Sequence, residues 1–229
     1  MELAGKSAVI TGASSGLGKA LAERLLAEGM KVAVCAPDAG GLADLASRPG
    51  VIAVPADVRK EAEMGKLAEL AVREFGRIDI WVNNAGIWLP HLPIEETDAE
   101  RAHDLMEVNY FGTFYGSRQA LIRMKAQSGG TIVNIISVRA KGQVLPDTSA
   151  YTASKFAAEG FTEVLRMEAA PAGIRVIGVY PSRMQTGLFG KEKPADYSEY
   201  LPPEKVAEKI ADNLKLAEPL EELVITASP

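Results

Sequence analysis

The sequence predicts an α/β fold: a doubly wound, Rossmann-like parallel sheet of about seven strands with helices on both faces. Three observations lead there. Short apolar, largely β-branched runs alternate with longer helical patterns along the chain. The apolar runs are continuous rather than alternating, as strands buried on both faces require. No linker, repeat or low-complexity segment divides the 229 residues, so one domain is expected over 1–229.

The strands are read at 7–11 (SAVIT), 31–36 (KVAVCA), 51–56 (VIAVPA), 78–82 (IDIWV), 131–136 (TIVNII), 175–180 (RVIGVY) and 222–227 (ELVITA). Helical patterns lie between them at 15–29, 60–76, 98–127 and 150–170, with Gly29, Gly76 and Gly129 as stop signals. Residues 187–203, GLFGKEKPADYSEYLPP, read as an irregular excursion on the substrate side. In such sheets ligands bind at the carboxyl ends of the strands, so the loops after the strands are where function is expected.

Composition narrows the classes. Hydrophobic residues make up 47% and charged residues 24%, as in ordinary globular proteins. A net charge of −5 argues against a nucleic-acid partner. No apolar run reaches the ~18 residues of a membrane span. The amino-terminal MELAGKSAVITG has no signal-peptide layout. Cys35 is the single cysteine, which suits a reducing compartment, and it reads as a small buried hydrophobe. His91 and His103 offer no metal-binding spacing. The expectation is a cytoplasmic, metal-free protein with no membrane partner.

Directly after the first strand comes TGASSGLG, with Gly12, Ser14, Ser15, Gly16, Leu17 and Gly18. Glycines there permit a sharp turn and let a pyrophosphate approach without a Cβ in the way. The following helix aims its free N–H groups and positive dipole end at the phosphates. Position between a strand and a helix makes this loop a dinucleotide cradle, although its G-x-x-x-G-x-G spacing departs from G-x-G-x-x-G.

In SAYTASKFAAEG, residues 149–160, Tyr151 and Lys155 stand one turn apart on a shared helix face. A free phenol has a pKa of ~10, and bringing it near 7 takes roughly 3 units, or about 4 kcal/mol. One ammonium at ~4 Å in an effective dielectric of ~20 supplies about that much. The pair is therefore expected to form a general acid/base for proton transfer. A hydroxyl at Ser137, after the fifth strand, can hydrogen-bond a carbonyl oxygen as it gains negative charge. Ser149 competes with it, and suits a helix N-cap better.

TGASSGLG, NNAG at 83–86, Asn109, Ser137 and YTASK at 151–155, in this order, resemble the compact single-domain branch of the short-chain dehydrogenases/reductases. The likeness runs from the first strand to the last. It implies hydride transfer between a nicotinamide dinucleotide and a carbonyl/alcohol pair. Ser137, Tyr151 and Lys155 match the family's catalytic residues, and Asn109 its helix asparagine that holds a water for a proton relay. In the resemblance Asn83 supports the cofactor ribose region, Gly86 keeps the cleft wall thin, and Ala85 between them is a further cofactor-binding residue. Asp57 matches the contact to the adenine amino group, with Val58 flanking the ring. YPSRMQT at 180–186 resembles the segment framing the nicotinamide: Pro181 and Thr186 keep their places, while Ser182 stands where glycine is usual. The stretch from Ser137 to Tyr151 is one residue longer than the family's, so a remodelled loop is expected.

The resemblance also bears on cofactor and assembly. Members using NAD usually carry an acid where Ala36 stands, and members using NADP often carry a basic residue at the position of Pro37 or Ser15. Both markers are missing. Asp38 falls two places late and is read as capping the next helix. The missing acid tips the reading to NADP, with NAD the alternative. Similar proteins form homotetramers or homodimers through the helices matching 97–127 and 150–170, which would place Gly112, Gly116, Ala157 and Phe161 at the contact.

The loops nearest the site are apolar: Ile87, Trp88 and Leu89; Val144 and Leu145; Met184, Leu188 and Phe189. They point to an apolar small-molecule carbonyl substrate, with Trp88, Val144 and Met184 as contacts. Trp81 reads as core and His91 as a solvated loop residue. Two alternatives stand beside this: a reductase of 3-oxoacyl thioesters on carrier protein, with Arg139 and Lys141 as a landing site, and a non-catalytic dinucleotide-binding regulator.

Overall fold

The computed structural model describes residues 2–189 and 196–227. Its strands are β1 Ser7–Thr11, β2 Lys31–Ala36, β3 Val51–Pro55, β4 Ile80–Asn83, β5 Gly130–Ile135, β6 Ile174–Pro181 and β7 Glu222–Ile225. All pair in parallel, in the order β3-β2-β1-β4-β5-β6-β7. The seven anticipated runs are these strands. Strand order reverses between β1 and β4, which opens a crevice at their carboxyl ends.

Helices α1 Gly16–Ala27, α2 Ala43–Ala46, α3 Glu61–Phe75, α4 Ala99–Met106, α5 Gly112–Ala126, α6 Ser149–Ala169 and α7 Pro203–Lys215 cover the sheet. Side chains alternate along each strand, so each face has its own core. Ile10, Val34, Val82 and Ile177 pack with Leu21 and Leu25 of α1 and Val206, Ile210 and Leu214 of α7. Val9, Cys35, Trp81 and Val176 pack with Leu67 of α3, Met124 of α5 and Leu165 of α6.

Three features depart from the sequence reading. The helix expected over 98–127 contains a π-turn, Glu107–Phe111, between α4 and α5. Helix α7 was not anticipated, although Pro203 sits at its first turn and Val206, Ile210 and Leu214 mark its buried stripe. Ser149 opens α6 rather than capping it; Thr148 is the flanking residue, and its hydroxyl donates to the Leu145 carbonyl at 2.7 Å. Of the excursion at 187–203, residues 190–195 lie outside the described residues, as does the side chain of Phe189. Among the described residues no helix is long and apolar enough to cross a membrane.

Candidate active site

A cleft of about 860 Å³ opens at the carboxyl ends of the strands, across the point where strand order reverses. Gly12, Ser14, Ser15, Gly16 and Leu17 form one wall. Gly12 has φ +68°, and a Cβ there would come within 2.7 Å of Ala85 Cα. Only glycine fits both the turn and that approach. Ser15 flanks α1 without a side-chain cap, so the first N–H groups of the helix remain available to an anion. Gly18 lies outside the cleft lining: a Cβ there would sit 2.3 Å from the Gly12 carbonyl oxygen, so this glycine lets helix and loop pack together.

Asp57, Val58, Ala85 and Gly86 line the cleft as expected. Asp57 is already oriented: Arg59 Nη2 donates to its carboxylate at 2.7 Å, and that hydrogen bond holds its pKa below the usual range. Asn83 does not line the cleft. It shares a face with Trp81 and is buried, accepting from Trp81 Nε1 at 2.8 Å and donating to Ser117 Oγ and Asn134 Oδ1. Asn84 takes the cleft position, donating to the carbonyls of Thr11 and Gly12 at 2.9 and 3.0 Å. Strand alternation decides between the two asparagines. Asp38 is exposed, outside the lining, and accepts from Gly40 N at 2.9 Å; Ala36 and Pro37 are the residues that face the cleft.

Ser137, Tyr151 and Lys155 line the same cleft with Pro181, and Thr186 lines it beside Gly16, where an added Cβ would come within 3.2 Å of the threonine side chain. Burial raises the Tyr151 phenol above its ordinary value, while a hydrogen bond with Ser137 and the charge of Arg139 pull it down. Lys155 does not supply the lowering the spacing suggested. Its ammonium lies 5.7 Å from the Tyr151 ring centroid and donates to the Ile135 carbonyl at 3.4 Å. Burial brings Lys155 itself down to about 8.

Asn109 sits behind the cleft wall in the π-turn and is 1% exposed. Its side chain accepts from Ile87 N at 2.8 Å and donates to the Ile87 carbonyl and to Ser154 Oγ. It therefore ties the 87 loop to α6, and its side chain does not reach the cleft. Cys35 is buried and its thiol is pushed up to about 12, which makes it inert as a nucleophile.

Trp88 and Met184 line the cleft; Val144, 56% exposed, does not, whereas Leu145, 47% exposed, does. His91, read as solvated, also borders the cleft, with its ring 5.6 Å from that of Trp88. Arg139 and Arg183 line the cleft as well, and the apolar reading of the loops overlooked the second of them. Lys141 turns away from Arg139. It donates to Glu159 Oε1 at 2.7 Å and Glu222 Oε2 at 2.9 Å, and lies 4.3 Å from the Tyr180 ring centroid. The two do not form a common landing site.

Comparison with known proteins agrees with this geometry. The short chain dehydrogenase family matches residues 6–196. An uncharacterized oxidoreductase of Staphylococcus saprophyticus is 38% identical over 196 residues, 83% of each chain. A 3-ketoacyl-(acyl-carrier-protein) reductase from Brucella melitensis, solved with NADH, superposes with a TM-score of 0.90 at 30% identity, over 98% of this chain and 97% of that one. A short chain dehydrogenase from Burkholderia cenocepacia, solved with NADP, gives a TM-score of 0.85 at 31% identity, over 98% and 90%. This chain belongs to the short-chain dehydrogenase/reductase family and has its seven-stranded, Rossmann-like fold.

Proposed function

We propose that the protein catalyses reversible hydride transfer between a nicotinamide dinucleotide and a carbonyl/alcohol pair on a largely apolar small molecule. The observation that carries this reading is that Ser137, Tyr151 and Lys155 line the same cleft as the glycine loop 12–17. The residues fit a dinucleotide: a Cβ would fill the space at Gly12, and the α1 N-terminus is uncapped. When bound, the cofactor supplies or accepts the hydride.

The chain's own groups handle the proton. Ser137 donates to the substrate oxygen and steadies its developing charge. Tyr151, protonated at neutral pH, delivers its proton to that oxygen in reduction and takes it back in oxidation. Lys155 holds positive charge beside the phenol and offers donors to the cofactor ribose. Asn109 keeps the 87 loop in place rather than touching the reacting atoms.

NADP is favoured. Ala36 and Pro37 place no carboxylate where a 2′-phosphate would lie, and Ser14 and Ser15 offer hydroxyls beside it. The resemblance to the Brucella reductase supports a second reading, reduction of 3-oxoacyl thioesters. A screen of apolar ketones, aldehydes and 3-oxoacyl thioesters with both reduced cofactors tests these readings. Absence of turnover throughout, with cofactor bound, would leave a dinucleotide-binding regulator.

The assembly we favour is a homodimer or homotetramer built on α6, but through a different face from the one anticipated. Gly112 and Gly116 point inward, where a Cβ would meet Val58 and Asn83, and Phe161 packs on Tyr110 and Phe114. Phe156, Gly160, Val164 and Met167 instead form an exposed stripe at helical spacing. A second copy presenting the same stripe would cover it.

A further inference from the structure

The cleft holds a cation that no carboxylate among the described residues compensates. Ser137 caps a short 3-10 turn, Val138–Lys141, and its Oγ accepts from Arg139 N at 3.2 Å. The turn carries the Arg139 side chain into the cleft that Tyr151 lines. Other arginines of this cleft are paired. Arg59 meets Asp57 and Asp104, and Arg183 meets Asp196 and lies 4.7 Å from the Tyr200 ring centroid. Among the described residues no carboxylate pairs with Arg139. Among these residues its side chain makes one hydrogen bond, from Nη1 to the Gln143 carbonyl, out of the five N–H groups a guanidinium carries.

That arrangement is unfavourable in the free protein. Arg139 is half-buried, Arg183 lies close enough to repel it, and the nearby His91 adds no negative charge. Burial is the largest influence on Arg139 and works against its charge. A planar guanidinium with free, parallel N–H groups matches a carboxylate in bidentate geometry. Beside it, Trp88, Leu145 and Met184 supply an apolar wall.

We infer that the substrate is an oxo acid, or the hydroxy acid in reverse, with its carboxylate on Arg139 and its apolar part against Trp88, Leu145 and Met184. This rests on the hydride-transfer reading above and adds the substrate class. The carboxylate takes no part in bond changes. The carbonyl carbon gains a hydride, its oxygen gains the Tyr151 proton, and the nicotinamide is oxidised.

Matched acid and ester probes test it. Phenylglyoxylate and its methyl ester, and 4-carboxybenzaldehyde and its methyl ester, differ chiefly in one negative charge. The ester is the more electrophilic member of each pair, so intrinsic reactivity favours the ester. The expected result is a kcat/KM for the acid at least about tenfold above its ester in one pair or both, as a charge-assisted contact predicts. Arg139→Met should abolish that ratio and Arg139→Lys keep part of it. The ratio within one variant is insensitive to a general loss of activity. Calorimetric titration of the cofactor-bound enzyme reads the same preference in Kd without turnover. Esters reduced as well as acids, with equal Kd, would overturn the inference while leaving hydride transfer intact. A preference that survives in Arg139→Met would overturn it too. Selective acid binding that depends on Arg139, with no probe reduced, would keep the anion site and count against the hydride-transfer reading.

Discussion

Lys155 Nζ lies over the Tyr151 ring, 5.7 Å from its centroid, one helical turn along α6. The ammonium faces the π-cloud, and its hydrogen bond goes to the Ile135 carbonyl. The phenol is therefore governed by its burial, by Ser137 and by Arg139, and it holds its proton at neutral pH.

A protonated Tyr151 makes the cofactor-ready enzyme a better reductase than dehydrogenase near pH 7. Reduction should be flat across neutral pH and fall in alkali as the phenol ionises; oxidation should rise over the same range. Tyr151→Phe should lower kcat at least ~100-fold in both directions, with cofactor affinity kept. Steady-state rates against pH, together with a cofactor titration, check this. Near-wild-type turnover in the variant would exclude the mechanism.

Lys155 carries a stability consequence with a definite sign. Its folded value, about 8, lies below the unfolded value of 10.5, so burying its charge costs stability at pH below 8. Between the two values the folded state releases a proton that the unfolded state keeps, and stability rises with pH. Lys155→Met removes the penalty. The cofactor-free variant should be inactive yet more stable at pH 7, by up to ~3 kcal/mol, with the gain shrinking as pH rises from about 8 and gone above about 10.5. Urea denaturation at both pH values measures it.

Asp38 is turned away from the cleft, and its carboxylate accepts from Gly40 N. Asp38→Ala should leave the ratio of kcat/KM for NADP over NAD within about twofold. Pro37→Arg, at a lining position, should raise that ratio roughly tenfold through a charge-assisted bond to the 2′-phosphate. A collapse of NAD use in Asp38→Ala would show instead that the loop rearranges to bring the acid onto the ribose.

Met167, 68% exposed, ends the apolar stripe of α6. Met167→Glu should convert an oligomer to monomer in light scattering at micromolar concentration, with the fold unchanged by circular dichroism. Charge placed on a self-complementary face meets its own copy across the symmetry axis. A wild-type monomer would remove the proposal.

What the sequence determined is local. Continuous β-branched runs have one low-energy use in a chain of this composition, so all seven strands were legible. Three glycines between a strand and a helix marked one wall of the cleft: Gly12 and Gly16 hold positive φ there, and Gly18 lets the helix pack on the loop. Tyr151 and Lys155 share one helix, where spacing alone sets their neighbourhood. Helix α7 was equally readable from Val206, Ile210 and Leu214, and its omission was an oversight of pattern.

Tertiary structure decided which way side chains face when neighbours in sequence compete. Asn83 and Asn84 are chemically identical; the partners Trp81, Ser117 and Asn134, from three different segments, drew the first into the core and left the second to the cleft. Leu145 rather than Val144 borders the cleft, and Gly116 turns to the sheet because Trp81 and Asn83 stand there. Arg139 and Lys141 look alike in the sequence. Glu159 of α6 and Glu222 of β7, brought together by the fold, neutralise one, while among the described residues no carboxylate pairs with the other, whose charge acts on Tyr151. Burial and charge pairing are properties of segments meeting across the sheet, and no local pattern encodes them.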